Sequence, residues 1–150
     1  MPVEVLRREG GKKYPAGRVK SVATGILELL KHDRAELSVA LIGNSEMRKL
    51  NARYRKKNYP TDVLSFPAAQ DIPAGIRLLG DVIISVDKAK EQAKVRHRKL
   101  DDEMATLLIH GVLHLLGYDH ERSVKDARIM GRLEKKIYRA LCDRGRLQVY

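Results

Sequence analysis

HGVLHLLGYDH, residues 110–120, places three of the chain's five histidines inside one of its most apolar segments. Leu107, Leu108, Ile109, Val112, Leu113, Leu115 and Leu116 surround them on nearly every side of a helix. A helix that is apolar all round is a buried one, and an imidazole buried there needs a hydrogen-bond partner or a metal. His110 and His114 are four residues apart. They therefore leave one helical face with Cβ atoms about 6 Å apart, close enough for both rings to reach one ion. Gly117 stands where the helix needs a left-handed C-terminal residue, and a turn there brings His120 back toward the same ion. Three neutral imidazoles with a fourth position open describe a catalytic rather than a structural zinc site. Two core histidines and one surface histidine are the plainer alternative, and the offsets 0, +4 and +10 with glycine at +7 argue against it.

Those offsets are the ones of the zinc-peptidase pattern H-E-x-x-H-x-x-G-x-x-H, in which the glutamate is the general base. Here Gly111 holds that position, and neither Glu103 nor Glu121 lies at the right offset on the His110/His114 face. The metal site survives this departure, whereas a peptidase would lose the group that activates its water. Glycine at 111 is expected to leave space beside the metal for a bulky substrate group.

The 150 residues suit one domain, 1–150, with an ordinary core, and 43% of them are apolar. One cysteine, Cys142, excludes an internal disulfide and a cysteine-based zinc site. The opening MPVEVLRREGGKKYP has no apolar run of signal-peptide kind, and no stretch is long enough to span a bilayer. A cytoplasmic protein without a membrane role is expected. Thirty Lys and Arg against nineteen Asp and Glu give a net charge of +11. A solvated, thermophile-like surface explains many charges but not their imbalance, which points to a polyanion such as nucleic acid.

Strands are expected at 3–9, 36–43, 58–67 and 80–86, and because Pro67 cannot donate to a ladder the third is expected to end there or to lie at a sheet edge. Helices are expected at 17–31, from Asn44 as cap through Tyr54, at 86–98, through the histidine segment with Asp101 and Asp102 as caps, and around Met130, Leu133, Ile137 and Leu141. The order β-α-β-α-β-β-α-α-α implies an α+β fold: a small mixed sheet packed with helices, its central buried helix carrying the histidines.

HGVLHLLGYDH resembles the signature of the YbeY family of bacterial rRNA-maturation endoribonucleases. LNARYRKKNYPTDVLSFP (50–67) and LGDVIIS (79–85) resemble two further blocks of that family, in the same order. The resemblance implies a metal-dependent, single-strand-selective endoribonuclease that acts in 16S rRNA maturation and ribosome quality control. It implies one zinc ion held by His110, His114 and His120, an essential Arg55, and a ribosomal small subunit or its assembly proteins as partners.

Zinc polarises a phosphoryl oxygen or lowers the pKa of bound water, and a guanidinium offers a planar, permanently charged donor pair to the same phosphate. Arg55 is thus expected to clamp the phosphate opposite the metal; otherwise it is one more solvated charge beside Lys56 and Lys57. Asp62, Ser65, Asp81 and Asp119 read more readily as turn or strand-end residues than as catalytic ones. The basic runs RKKN (55–58) and KVRHRK (94–99) are candidates to follow an RNA backbone, and His32 and His97 read as surface residues. With one phenylalanine and no tryptophan, a broad base-stacking platform is not expected. A divergent peptidase and a non-catalytic ribosome assembly factor with a structural metal are the competing readings.

Overall fold

The computed structural model describes residues 3–68 and 77–147. Its elements follow the expected order: β1 (Val3–Arg7), α1 (Ala16–Leu29), β2 (Ala35–Ile42), α2 (Asn44–Arg55), β3 (Val63–Pro67), β4 (Arg77–Ser85), α3 (Val86–Val95), α4 (Leu100–Leu115) and α5 (Val124–Asp143). The strands form one sheet in the order β1-β2-β4-β3. β1, β2 and β4 run parallel, while β3 pairs antiparallel with β4 and lies at the edge, where Pro67 ends it. The fold is a mixed α+β one.

Alternation in β2 buries Leu37, Val39 and Leu41 on one face. Register aligns Val5, Val39, Val82 and Ser65 in a row across the four strands. That face carries the main core, closed by α1, α4 and α5. α4 packs against β3, β4, α1, α3 and α5, so the histidine helix is the central one. On the other face a smaller cluster of Ile42, Met47 and Leu64 is capped by Leu50, Phe66 and Ile83, which fixes α2 beside β3.

Three local expectations change. Asn44 is the first residue of α2, with Gly43 at the cap position. The capping carboxylate comes from α3, because Asp87 accepts the Asn44 backbone N–H at 2.9 Å. Asp101 and Asp102 are not caps, since α4 begins at Leu100 after Lys99. Both fall in the first turn, where their charge favours the helix dipole while their oxygens serve neighbouring elements. Asp101 accepts the Tyr14 hydroxyl at 2.6 Å and Asp102 the Tyr138 hydroxyl at 2.7 Å, tying the start of α4 to residues before α1 and in α5. Finally, α3 ends a turn earlier than expected, with His97 in the left-handed region at φ 54°.

A candidate metal centre beside an edge strand

Apolar residues surrounding α4 dictate where its histidines emerge. Leu107, Leu108, Ile109, Val112 and Leu113 are buried, and His110 and His114 leave the helix together near its C-terminal end. Their ring centroids are 4.8 Å apart. The helix then stops in a Schellman turn: Gly117, at φ 101°, donates its N–H to the His114 carbonyl, and Tyr118 donates to the Leu113 carbonyl, both at 3.0 Å. Asp119 accepts the Glu121 backbone N–H at 2.9 Å, and Arg122 donates to the Gly117 carbonyl at 2.6 Å. This loop returns the His120 ring to 5.0 Å from His110 and 5.5 Å from His114. Asp119 therefore fixes the turn, as its sequence context suggests.

One nitrogen from each ring lies within 4.8 Å of the other two. Bonds of about 2.1 Å from three imidazoles to one ion fit inside that span with small rotamer adjustments. Burial, reinforced by the neighbouring His110 and His120, lowers the His114 pKa and favours its neutral, ligating form. Metal ligation needs that form, so the donor set suits a transition-metal ion of the kind imidazole binds.

A carboxylate from another helix completes the support. Glu134 Oε2 on α5 lies 3.1 Å from His110 Nδ1. With Nδ1 donating to this carboxylate, Nε2 is the nitrogen left for an ion, the arrangement that orients metal-ligating histidines generally. Sequence reasoning missed Glu134, 24 residues from its partner. A weak signal existed: it stands among Met130, Leu133, Ile137 and Leu141, an acid beside the apolar stripe of α5.

Gly111 does not open space beside the histidines. It is buried against the sheet, where an added Cβ would stand 2.7 Å from Val82 Cγ1 and 3.3 Å from the Ser65 hydroxyl. Ser65 donates to the Gly111 carbonyl at 3.1 Å, so this serine joins β3 to α4. A glutamate at 111 has no room to reach an ion, and the peptidase pattern fails for a steric reason as well as a chemical one.

The three histidines line a cleft of about 590 Å³ that Tyr54 and Arg55, at the end of α2, line as well. Thr61 to Pro67 run along it without a gap, as the outer edge of a terminal strand does. Arg55 is exposed and has no ion-pair partner among the described residues. Arg53, Lys56 and Lys57 are exposed next to it. Asp62 lines the cleft and accepts the Val63 backbone N–H at 2.8 Å, a turn role. Asp81 lies outside it, in a shallow hollow with Glu4 and Glu36. The second basic run is partly committed elsewhere, because Arg96 and Arg98 pair with the fully buried Glu103 at 3.1 and 3.3 Å. A separate hollow between α4 and α5, walled by Ile109, Tyr138 and Cys142, lies behind Glu134 rather than in front of the three rings.

A mixed sheet, a buried helix bearing two imidazoles, a third imidazole on the returning loop and a basic helix end lining the same cleft define a protein with a candidate three-histidine metal centre. Residues 7–142 match the family model described as Endoribonuclease YbeY, and the chain belongs to that family. Relatives bearing the name Endoribonuclease YbeY include one from Sulfurihydrogenibium sp. (strain YO3AOP1), 45% identical over 90% of this chain and 86% of its own length. Another, from Thermodesulfovibrio yellowstonii, is 46% identical over 90% of this chain and 94% of its own, and one from Aquifex aeolicus is 39% identical over 89% and 88%. The solution structure of TM1509 from Thermotoga maritima superposes with a TM-score of 0.67 at 26% identity, covering 96% of this chain and 91% of that one.

Proposed function

We propose that this chain is a metal-dependent endoribonuclease that cuts single-stranded RNA, acting in 16S rRNA maturation and ribosome quality control. In this reading residues 1–150 form one catalytic domain, His110, His114 and His120 hold one zinc ion with a position left open, and Arg55 is the catalytic arginine. The observation that carries it is the shared cleft: Arg55 and the three histidines come from distant parts of the chain and line the same cavity.

A bound zinc supplies Lewis acidity at a phosphoryl oxygen and a lowered pKa for water. The protein's own groups do the rest. His110, His114 and His120 present one ring nitrogen each, and Glu134 holds the His110 ring in the ligating orientation. Arg55 donates two parallel hydrogen bonds to the phosphate within the same cleft, stabilising charge that grows on its non-bridging oxygens. Lys56 and Lys57 hold the strand beside it through its phosphates, which carry no sequence information. Choice of cleavage site then falls to RNA shape and to the small ribosomal subunit or its assembly proteins, in the cytoplasm. No helix among the described residues is long and apolar enough to cross a membrane.

The test is cleavage of end-labelled single-stranded RNA by zinc-loaded protein, with His114→Ala and Arg55→Ala purified identically. Wild type is expected to cut, His114→Ala to lose activity, and Arg55→Ala to lose about a hundredfold or more in kcat, the scale of one lost charge-stabilising donor. Equal cutting by all three would mean a contaminating nuclease. Binding of ribosomal subunits without cutting would make the chain an assembly factor.

A further inference from the structure

The cleft holds an aromatic feature that the phosphate chemistry does not use. Tyr54 lines the cleft with the three histidines and is 55% exposed, and among the described residues it is the one exposed large hydrophobic side chain that lines it. Phe66 backs it edge-on, with centroids 5.1 Å apart and planes at 65°. Phe66 is itself packed on the Ile42, Met47 and Leu64 cluster, so Tyr54 rests on a fixed support rather than swinging freely in solvent. The Arg53 guanidinium, a flat cationic group, already lies over the Tyr54 ring at 5.3 Å from its centroid. An aromatic ring held by a neighbour, open to a cleft and bracketed in sequence by two exposed arginines combines the two elements of a single-strand site: a stacking surface and cations for the backbone.

We propose that Tyr54 is a nucleobase subsite: a base of the RNA strand stacks on its ring while the adjoining phosphate meets Arg55. The proposal rests on the endoribonuclease reading and adds a recognition residue to it. An unstacked base is a property of single strands and loops, since in a duplex the faces of the bases are covered by their neighbours. Tyr54 is therefore the part of the cleft that rejects double-stranded RNA, and it does so without reading base identity, because every base has a π face. Arg53 moves from the ring to a phosphate, or stacks on the far side of the incoming base. The single phenylalanine of the chain contributes as the support of the stacking residue.

The experiment is an abasic scan on the zinc-loaded protein. Initial cleavage rates are measured on one single-stranded oligoribonucleotide and on copies with one abasic ribonucleotide at each position flanking the cut. The same set is run on Tyr54→Leu, which keeps an apolar contact for Phe66 but has no ring, and on Tyr54→Trp, which keeps a ring. One flanking position is expected to raise KM about five- to a hundredfold in wild type when its base is removed, with a smaller change in kcat. In Tyr54→Leu that position becomes indifferent and the intact substrate takes on the raised KM; Tyr54→Trp restores base dependence. A flat scan in a wild type that cuts RNA overturns the stacking site and leaves the nuclease standing, as does a base dependence unchanged in Tyr54→Leu. A wild type that cuts none of the substrates overturns the nuclease reading and this proposal with it.

Discussion

Gly111 shows how one missing side chain separates two chemistries. A Cβ at this position meets Val82 Cγ1 at 2.7 Å, in the row of Val5, Val39, Val82 and Ser65 that spans the sheet. Alanine would gain about 1 kcal/mol of helix propensity but meet an overpacking cost of about 1–3 kcal/mol. We expect Gly111→Ala to lower stability by about 1 kcal/mol in urea unfolding, and Val82→Ala to be less harmful in that background than in wild type. Additive effects of the two substitutions would show that the contact is not what excludes a side chain. Glu134 acts at the same scale. Glu134→Gln keeps the shape and removes the charge that orients His110, so zinc affinity measured by chelator competition should fall about ten- to a hundredfold. An unchanged affinity would reduce the 3.1 Å contact to a passive one.

Between elements, α4 is positioned by phenols as much as by its apolar face. Tyr14 and Tyr138 donate to Asp101 and Asp102 in its first turn. Burial first, and then the Asp102 carboxylate, push the Tyr138 phenol up to about 12 from 10.0. Since the folded protein holds this proton more tightly than the unfolded chain, its contribution is complete below pH 10 and is lost as pH rises from 10 toward 12. Burial and Asp101 raise Tyr14 as well. Urea midpoints should therefore fall with pH above 10, and fall less steeply in Tyr138→Phe; parallel curves would show that the phenol is not coupled to folding. The pairing also shows what a sequence hides. Asp101 and Asp102 read as caps because acids before an apolar run usually are. The helix starting at Leu100 shifted both into the first turn, and their partners lie 87 and 36 residues away.

Across the whole molecule, element order and the three histidines could be read because both are local: hydrophobic period marks the elements, and two ligands share one helical turn. Pro67 likewise marked β3 as a strand that ends there or lies at an edge, and both hold. Long-range facts were not. The strand order β1-β2-β4-β3, the contact of Glu134 with His110 and the support of Tyr54 by Phe66 depend on packing between distant segments. Charge is the other property of the whole. With a net charge of +11 and exposed Lys56 and Lys57 beside the cleft, KM for RNA should rise with salt. Replacing either lysine with alanine should flatten the log–log slope by about 0.7, the share of one single-strand phosphate contact. A slope unchanged by both substitutions would move the backbone path elsewhere on the surface.

The edge strand that floors the cleft has a consequence for how copies of this protein behave together. An unpaired strand edge invites a strand from another molecule, the first step toward self-association and aggregation. β3 must nevertheless stay uncovered if anything is to enter the cleft along Thr61 to Pro67. Its five residues offer a short template, and Pro67 removes a donor at the end of it. Strong like charge on every copy keeps molecules apart at the distances where pairing begins. An accessible site and a guarded strand edge are thus reconciled in one five-residue strand, short and proline-blunted as a template for its own kind.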